Sequence, residues 1–418
     1  MKYFFIILSL IISLNSSAQF RSLLSANGQG RLNSSVFSSN KLCGELSAGY
    51  MNNLVINKQN PASYIQSSLT LIDIGVRSEN GSFSLLDTVK SSGGITMSHI
   101  AFLFPLTPGK SGLSIGFTQN SSVNYSLKSL NSDALFGKYN QTQSGNGNTY
   151  NAYAGVGFKV NKFSFGSNLN FIFGNVKYNQ DINFTDSSFM PTIRHRNDIS
   201  MFNLAYDLGA QYYTDINKKN AISFGIYYKG NLSSTATNKY TRQSLQTVSS
   251  TSTNATVLED STYSVDLPKN SRIGFGVNYY ANKAINIGTE FNLGFFDGYT
   301  DYFTGLPLQN TWHFHTGIEY RPILNRDIDS RKYFNKVTYR FGTILGKSEH
   351  NIEGSLNDFK IMGGISLPVL NRTVSQITIG LEYHKLGFST DKNYGESLFT
   401  FHTQITFGDK WFIRPKFD

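Results

Sequence analysis

Apolar and polar residues alternate one by one through segment after segment of this chain, and the connectors between segments are alternately short and long. In Ala284–Phe295, Ile285, Ile287, Phe291, Leu293 and Phe295 share one parity, while Asn286, Gly288, Glu290, Asn292 and Gly294 share the other. A period of two means a β-strand with one apolar and one polar face. Repeated over roughly ten residues at a time down a whole chain, it is the pattern of a membrane barrel whose outside meets lipid. A soluble β-sandwich also alternates, but it predicts shorter and more even loops.

About 14 such segments are legible, near residues 68–77, 94–104, 112–126, 149–160, 162–178, 199–213, 220–230, 271–281, 283–295, 311–321, 333–346, 357–367, 375–386 and 396–407. Short connectors follow the second, fourth, sixth and eighth: Pro105 to Ser111, Asn161, Asp215 to Lys219, and Asn282. Long polar ones fall at 127–148, 179–198, 231–270, 296–310 and 347–356. Short periplasmic turns and long outer loops are the plan of an outer-membrane barrel. An even strand count lets the first and last strands pair, so that no edge is left in lipid. Parity places Ile222, Phe224, Ile226 and Tyr228 on the lipid face, with Ile273, Phe275, Val277, Tyr279, Ile377, Ile379, Leu381 and Tyr383. The expected fold is all-β, a transmembrane antiparallel β-barrel of about 14 strands, multi-pass in the outer membrane of a Gram-negative bacterium.

The first residues read as an address. Lys2, the apolar run Phe4 to Leu14, and Ser16-Ser17-Ala18 before Gln19 form the three regions of a cleavable signal peptide. That run is too short for a spanning helix, and no later stretch is long enough. The chain then divides into a signal peptide at 1–18, an N-terminal periplasmic or hatch segment at 19–67, the barrel at 68–407, and a short basic tail at 408–418. The hatch segment has weak apolar periodicity at Leu42, Leu46, Tyr50 and Leu54 and ends in Asn60-Pro61-Ala62-Ser63. It is long enough to fold into the barrel as a plug; the alternative is a flexible periplasmic tail.

Composition fits this plan: 33 Phe, 24 Tyr and 37 Gly against 9 Pro suit aromatic girdles around a polar lumen. The formal charge of +10, reduced to +9 when Lys2 is cleaved away, is scattered without a Lys/Arg block. Such scatter argues against nucleic acid and for anionic lipid headgroups or an anionic solute as partners. The single cysteine, Cys43, excludes an internal disulfide framework, and no metal cluster can be built from it.

Inward parity gathers Asp207, Glu290, His313, His315, Glu319, Arg340, Glu382 and His384. Charges inside a barrel need partners or water. A lumenal salt-bridge network holding the hatch is one reading; a proton-responsive or solute-steering network is another. His313-Phe314-His315 puts two imidazoles on one strand face, which is compatible with a metal site but lacks a third ligand. A phospholipase would need a Ser/His pair with an orienting third group. No nucleophile elbow and no phosphate-cradling glycine motif is present. The chain is therefore expected to be no enzyme and to carry no metal and no cofactor. The polar stretch Asn231 to Asn270 reads as an outer loop that covers a pore mouth or meets a partner.

Two short motifs carry a resemblance. Asn60-Pro61-Ala62, just before the first strand, resembles the Asn-Pro-Ala motif of the FadL-type transporters of hydrophobic compounds. Leu267-Pro268 followed by Ser271-Arg272-Ile273-Gly274-Phe275-Gly276 is similar to the Leu-Pro segment that opens a mid-barrel strand in that family. The ending Trp411 to Asp418 departs from barrels that stop at a terminal aromatic residue. The resemblance implies a 14-stranded barrel, a lumen filled by an N-terminal hatch, a hydrophobic pocket, and lateral release of substrate into the membrane. It also implies a gating role for Asn60, Pro61 and Ala62, whose proline fixes a rigid turn. The function expected is passive uptake of hydrophobic, fatty-acid-like small molecules. The rival is a non-transport barrel subunit or plug of the type IX protein secretion machinery, because FadL-like barrels serve there too. Outer-membrane lipid is a partner on either reading, secretion-machinery proteins on the second.

Overall fold

A computed structural model describes residues 22–26, 30–85, 88–135, 137–185, 190–249, 252–296, 299–300, 307–322, 333–351, 355–370, 374–387 and 394–411. The expected signal peptide and residues 412–418 of the expected tail lie outside them.

Seventeen strands are formed among the described residues: β1 (Arg31–Leu32), β2 (Thr70–Leu85), β3 (Thr88–Thr107), β4 (Ser111–Asp133), β5 (Gly137–Val160), β6 (Phe163–Phe184), β7 (Thr192–Asp215), β8 (Ala221–Asn231), β9 (Thr235–Ser249), β10 (Ser252–Asp266), β11 (Ser271–Ala281), β12 (Ile285–Phe295), β13 (Thr311–Tyr320), β14 (Thr338–Asn351), β15 (Ser355–Leu370), β16 (Val374–Leu386) and β17 (Tyr394–Asp409). Fourteen of them, β2 to β8 and β11 to β17, pair antiparallel in a closed ring. β17 closes on β2 from Tyr394↔Leu85 to Asp409↔Thr70. β8 pairs β11 directly, so β9 and β10 stand outside the ring. Closure pairs the first ring strand with the last, so the sheet has no free terminal edge. No helix among the described residues is long and apolar enough to cross a membrane, which says nothing of a crossing by strands.

The alternation sorts as expected. Phe275, Ile287, Phe291 and Leu381 are exposed on the outside, while Asn278, Asn286, Glu290 and Asn292 are buried inside. Outward aromatic rings pair in two belts. Phe163 meets Tyr212 at 4.8 Å and Phe104 meets Trp411 at 6.3 Å near the short-turn rim. Tyr206 meets Tyr228 at 5.9 Å and Phe171 meets Phe202 at 6.5 Å near the other. Phe163 and Phe171 on β6 are roughly 26 Å apart along the strand, close to the height of an apolar band. Asn161, Asn282 and Lys283 take positive φ in the tight turns of the short rim. The connector 321–337 on that rim is longer, and a 3-10 turn at Tyr333–Lys336 delays β14 to Thr338, past the expected start at 333.

The expected outer loops are mostly sheet. β4 to β7 run for 22 to 24 residues each, about twice a membrane crossing, so the stretches 127–148 and 179–198 continue the strands. The stretch 231–270 holds the hairpin β9–β10, which pairs the upper half of β7 from Thr192↔Leu245 to Met201↔Ala236. The physical reason is a small apolar cluster of Val123, Tyr125, Val176, Tyr178, Ile199, Met201, Ala236, Val265 and Leu267 above the membrane. Its apolar residues recur at every second position but are outnumbered by Ser, Thr and Asn, so the sheet reads as loop.

One seam is not paired along its length. β3 and β4 pair only up to His99↔Thr118; above that β3 stays with β2 and β4 with β5. There β1 pairs β4 at Ser121 and Ser122, and Asn33 N donates to Asn120 O at 2.8 Å. The N-terminal segment takes the place β3 leaves.

Candidate functional site

Residues 30–67 lie inside the ring, and the wall is shaped for them. An added Cβ at Gly225 would stand 1.8 Å from Ala48 O, and one at Gly342 would stand 2.0 Å from Gly44 N. Only glycine lets backbone approach backbone this closely. Leu42, Leu46, Tyr50 and Leu54 are all buried, although only Ser38–Lys41 is helical.

Asn60-Pro61-Ala62 sits at the centre of this packing. Asn60 is extended (φ −122°, ψ 96°), as the residue before a proline must be, and Pro61 opens a 3-10 turn, Pro61–Gln66. Asn60 Oδ1 accepts from Ala62 N at 3.2 Å, and its Nδ2 donates to Ala48 O at 2.7 Å. The turn presses on Gly166 and Gly209 of the wall.

Most of the eight inward ionisable residues grip this segment. Glu290 Oε2 accepts from the backbone N–H groups of Ser47 and Ala48, both at 2.7 Å. Glu319 accepts from Tyr50 OH at 2.6 Å and from Arg340 Nε at 2.7 Å; Arg340 also donates to Ser366. His315 Nδ1 faces Gly44 O at 2.9 Å, and a carbonyl only accepts, so Nδ1 donates and Nε2 accepts from Asn292 at 2.9 Å. Asp207 lies 3.8 Å from Lys58 Nζ and accepts from Asn168 at 2.9 Å. Glu382 lies 3.8 Å from Lys41 Nζ and 2.9 Å from His402. His313 and His384 differ: they flank Asp358 at 3.1 and 2.8 Å and join wall to wall.

Several members of this network escaped the sequence reading: Glu45, Lys58, Lys229, Asp358, Lys360 and His402. For those on strands the inward parity was already the signal. Glu45 is bound from both sides, with Lys41 and Lys360 Nζ at 3.7 and 3.8 Å from Oε1 and Ser34 Oγ at 3.0 Å from Oε2.

Both ring nitrogens of His315 are engaged, so the His313–His315 pair does not offer two free ligands. Among the described residues no group of three or more His, Cys, Asp or Glu is placed to hold a metal. Cys43 is fully buried. Among the described residues one Ser/His pair is hydrogen-bonded, Ser98 Oγ to His99 Nδ1 at 2.8 Å. The Asp73 carboxylate lies 3.7 Å from His99 Nε2, beyond hydrogen-bond reach, and accepts instead from Gln404 at 2.8 Å, while the imidazole stacks on Phe37 at 3.8 Å.

Above the segment, toward the long-strand rim, lies a cavity of about 240 Å³ whose lining includes Arg31, Glu79, Lys229, Arg272, Asp358 and Lys360. It is charged. The apolar cluster in the lumen, Phe37, Leu54, Ile56, Tyr64, Leu71, Leu103 and Tyr153, is filled by contact between segment and wall.

The whole chain, residues 1–418, matches the family model described as BamG. None of the curated proteins matches it in sequence. Among solved structures it is similar to the toluene transporter TodX of Pseudomonas putida, at 11% identity and a TM-score of 0.60, covering 93% of this chain and 100% of that one. The Ralstonia pickettii toluene transporter TbuX gives 11% identity and a TM-score of 0.59, covering 89% and 98%. The CymD monoaromatic hydrocarbon channel gives 12% and 0.58, covering 92% and 98%. At these identities the likeness is one of fold, a closed antiparallel β-barrel.

Proposed function

The chain belongs to the BamG family, and we propose that it works as a closed barrel subunit of an outer-membrane protein assembly, its lumen shut by the N-terminal segment acting as a hatch. The observation that carries this reading is the filling of the lumen. Backbone of residues 43–48 and 60–64 packs on wall glycines, and buried carboxylates hold it there. The cavity above the segment is charged and suits no hydrocarbon. A barrel that passes nothing works through its surfaces, and the strands that outrun the membrane supply one. The type IX secretion machinery of the resemblance is one assembly of this kind; the proposal does not depend on that choice.

Photo-crosslinking in cells tests it. A crosslinker at Leu258, exposed on β10 in the outer sheet, is expected to give defined protein adducts, while one at lipid-facing Leu381 gives none. Absence of adducts across the outer sheet would count against the proposal.

A second reading, passive uptake of hydrophobic small molecules, has its own support. The solved structures it resembles are named as hydrocarbon channels, and the wall parts between β3 and β4 above His99 and Thr118. On this reading β1 is a gate at that seam and Asn60, Pro61 and Ala62 fix its resting position. Pinning β1 to β4 with a disulfide between Leu32→Cys and Ser121→Cys would then abolish uptake of labelled toluene by cells; uptake that ignores the crosslink excludes the gate.

A further inference from the structure

Lys229 and Arg272 stand directly opposite each other on β8 and β11, both on the lumenal face near the outer rim. Side chains so placed have Cβ atoms about 5 Å apart, and like charges there destabilise a sheet. Among the described residues, no carboxylate oxygen lies within 4.0 Å of either cation. Lys229 Nζ reaches only neutral oxygens, Gln59 Oε1 at 3.1 Å and Ser35 Oγ. The Arg272 guanidinium makes no hydrogen bond to any described residue. The neighbouring carboxylates make their close contacts elsewhere. Asp207, next to Lys229 in the cross-strand row, is turned to Lys58 and Asn168. Glu349 lies 3.8 Å from His350 and, beyond 4.0 Å, within electrostatic range of Arg272; on the far wall Glu79 faces Arg31 and Arg77 at 3.4 and 3.6 Å.

The row gives the pair room on its other side. Arg272 pairs with Gly294, which has no side chain, and beyond it Thr311 Oγ1 is buried without a hydrogen-bond partner. Two adjacent cations and a cavity of about 240 Å³ are the makings of a receptor for one small anion. Guanidinium supplies a planar fork and ammonium a point charge, a combination that suits a carboxylate or a phosphate oxyanion equally.

We propose that Lys229 and Arg272 form a binding site for a small oxyanion, a carboxylate or a phosphate group, entering the charged cavity from the outer side. The inference does not rest on the assembly reading or on the uptake reading, because the site is built from wall residues above the hatch.

The experiment uses the full chain in a non-ionic detergent, with equilibrium binding of labelled inorganic phosphate and of labelled benzoate as separate arms. Saturable binding of either probe is expected. It should weaken at least tenfold in the Lys229→Gln, Arg272→Gln double variant, with Lys239→Gln on the outer sheet unchanged. Phosphate alone, benzoate alone, or both assign the oxyanion class. Arg272→Gln singly removes a side chain that makes no hydrogen bond, so it keeps the test open if the double variant does not fold. No binding of either probe at millimolar concentration, or binding unaltered in the folded variants, overturns the site.

Discussion

Asn60 joins two parts of the N-terminal segment through one side chain, capping its own turn and holding Ala48 twelve positions earlier. Both bonds are buried; Asn60→Ala leaves Ala62 N without its partner, at about 1–3 kcal/mol when unrelieved, while Ala48 O keeps Gln211 Nε2 at 2.8 Å. A lower thermal midpoint with the barrel still formed is the expected result; an unchanged midpoint would mean water replaces the amide. Gly225→Val should act on the same contact from the wall side, displacing residues 46–49 and exposing them to protease. Glu45, which belongs to the segment and to no strand, adds a pH dependence. Burial alone would push its carboxyl up, but Lys360 and Lys41 outweigh that and hold it at about 2, below the ordinary 4.5. A depressed carboxyl stabilises above its ordinary value and loses that contribution as pH falls through its folded value. Pepsin digestion of the segment should therefore rise between pH 4.5 and 2, and Glu45→Gln should flatten that rise.

At the scale of elements, the hairpin β9–β10 is an appendage to the ring. Its ends meet, with Leu267 N donating to Ser234 O at 2.8 Å, and β8 pairs β11 without it. Deleting 235–266 should leave a heat-modifiable barrel on gel electrophoresis, with the outer cluster partly exposed. Failure to fold would mean the hairpin templates the β8–β11 seam. This hairpin also marks what the sequence conceals. The lipid-crossing strands were legible because one face must be apolar, as at Ile285, Ile287 and Phe291. Above the membrane both faces meet water, and the only apolar residues needed are the few that pack Val123, Val176 and Ile199 together. Thr256 to Asp260 of β10 carries no alternation at all, so nothing separates it from loop. In the lumen, parity found Glu290 and Glu319 but not what they hold, since pairing a strand with an irregular segment leaves no periodic trace. Lys229 and Arg272 shared the same inward parity, and only register shows them to be neighbours.

Taken whole, the molecule is a ring built on the same fold as hydrocarbon channels, with its interior committed to its own N-terminal segment. Removing residues 22–67 should raise ion conductance in planar bilayers well above that of the full chain. Equal conductance would mean the segment does not close the lumen. On the proposed reading this closed barrel works through protein contacts. The most direct test of that reading is the mass of the particle extracted from the native outer membrane in mild detergent, read by native mass spectrometry. An assembly containing other proteins is the expected result. A lone barrel carrying the extra mass of an apolar small molecule would contradict it and establish uptake in its place.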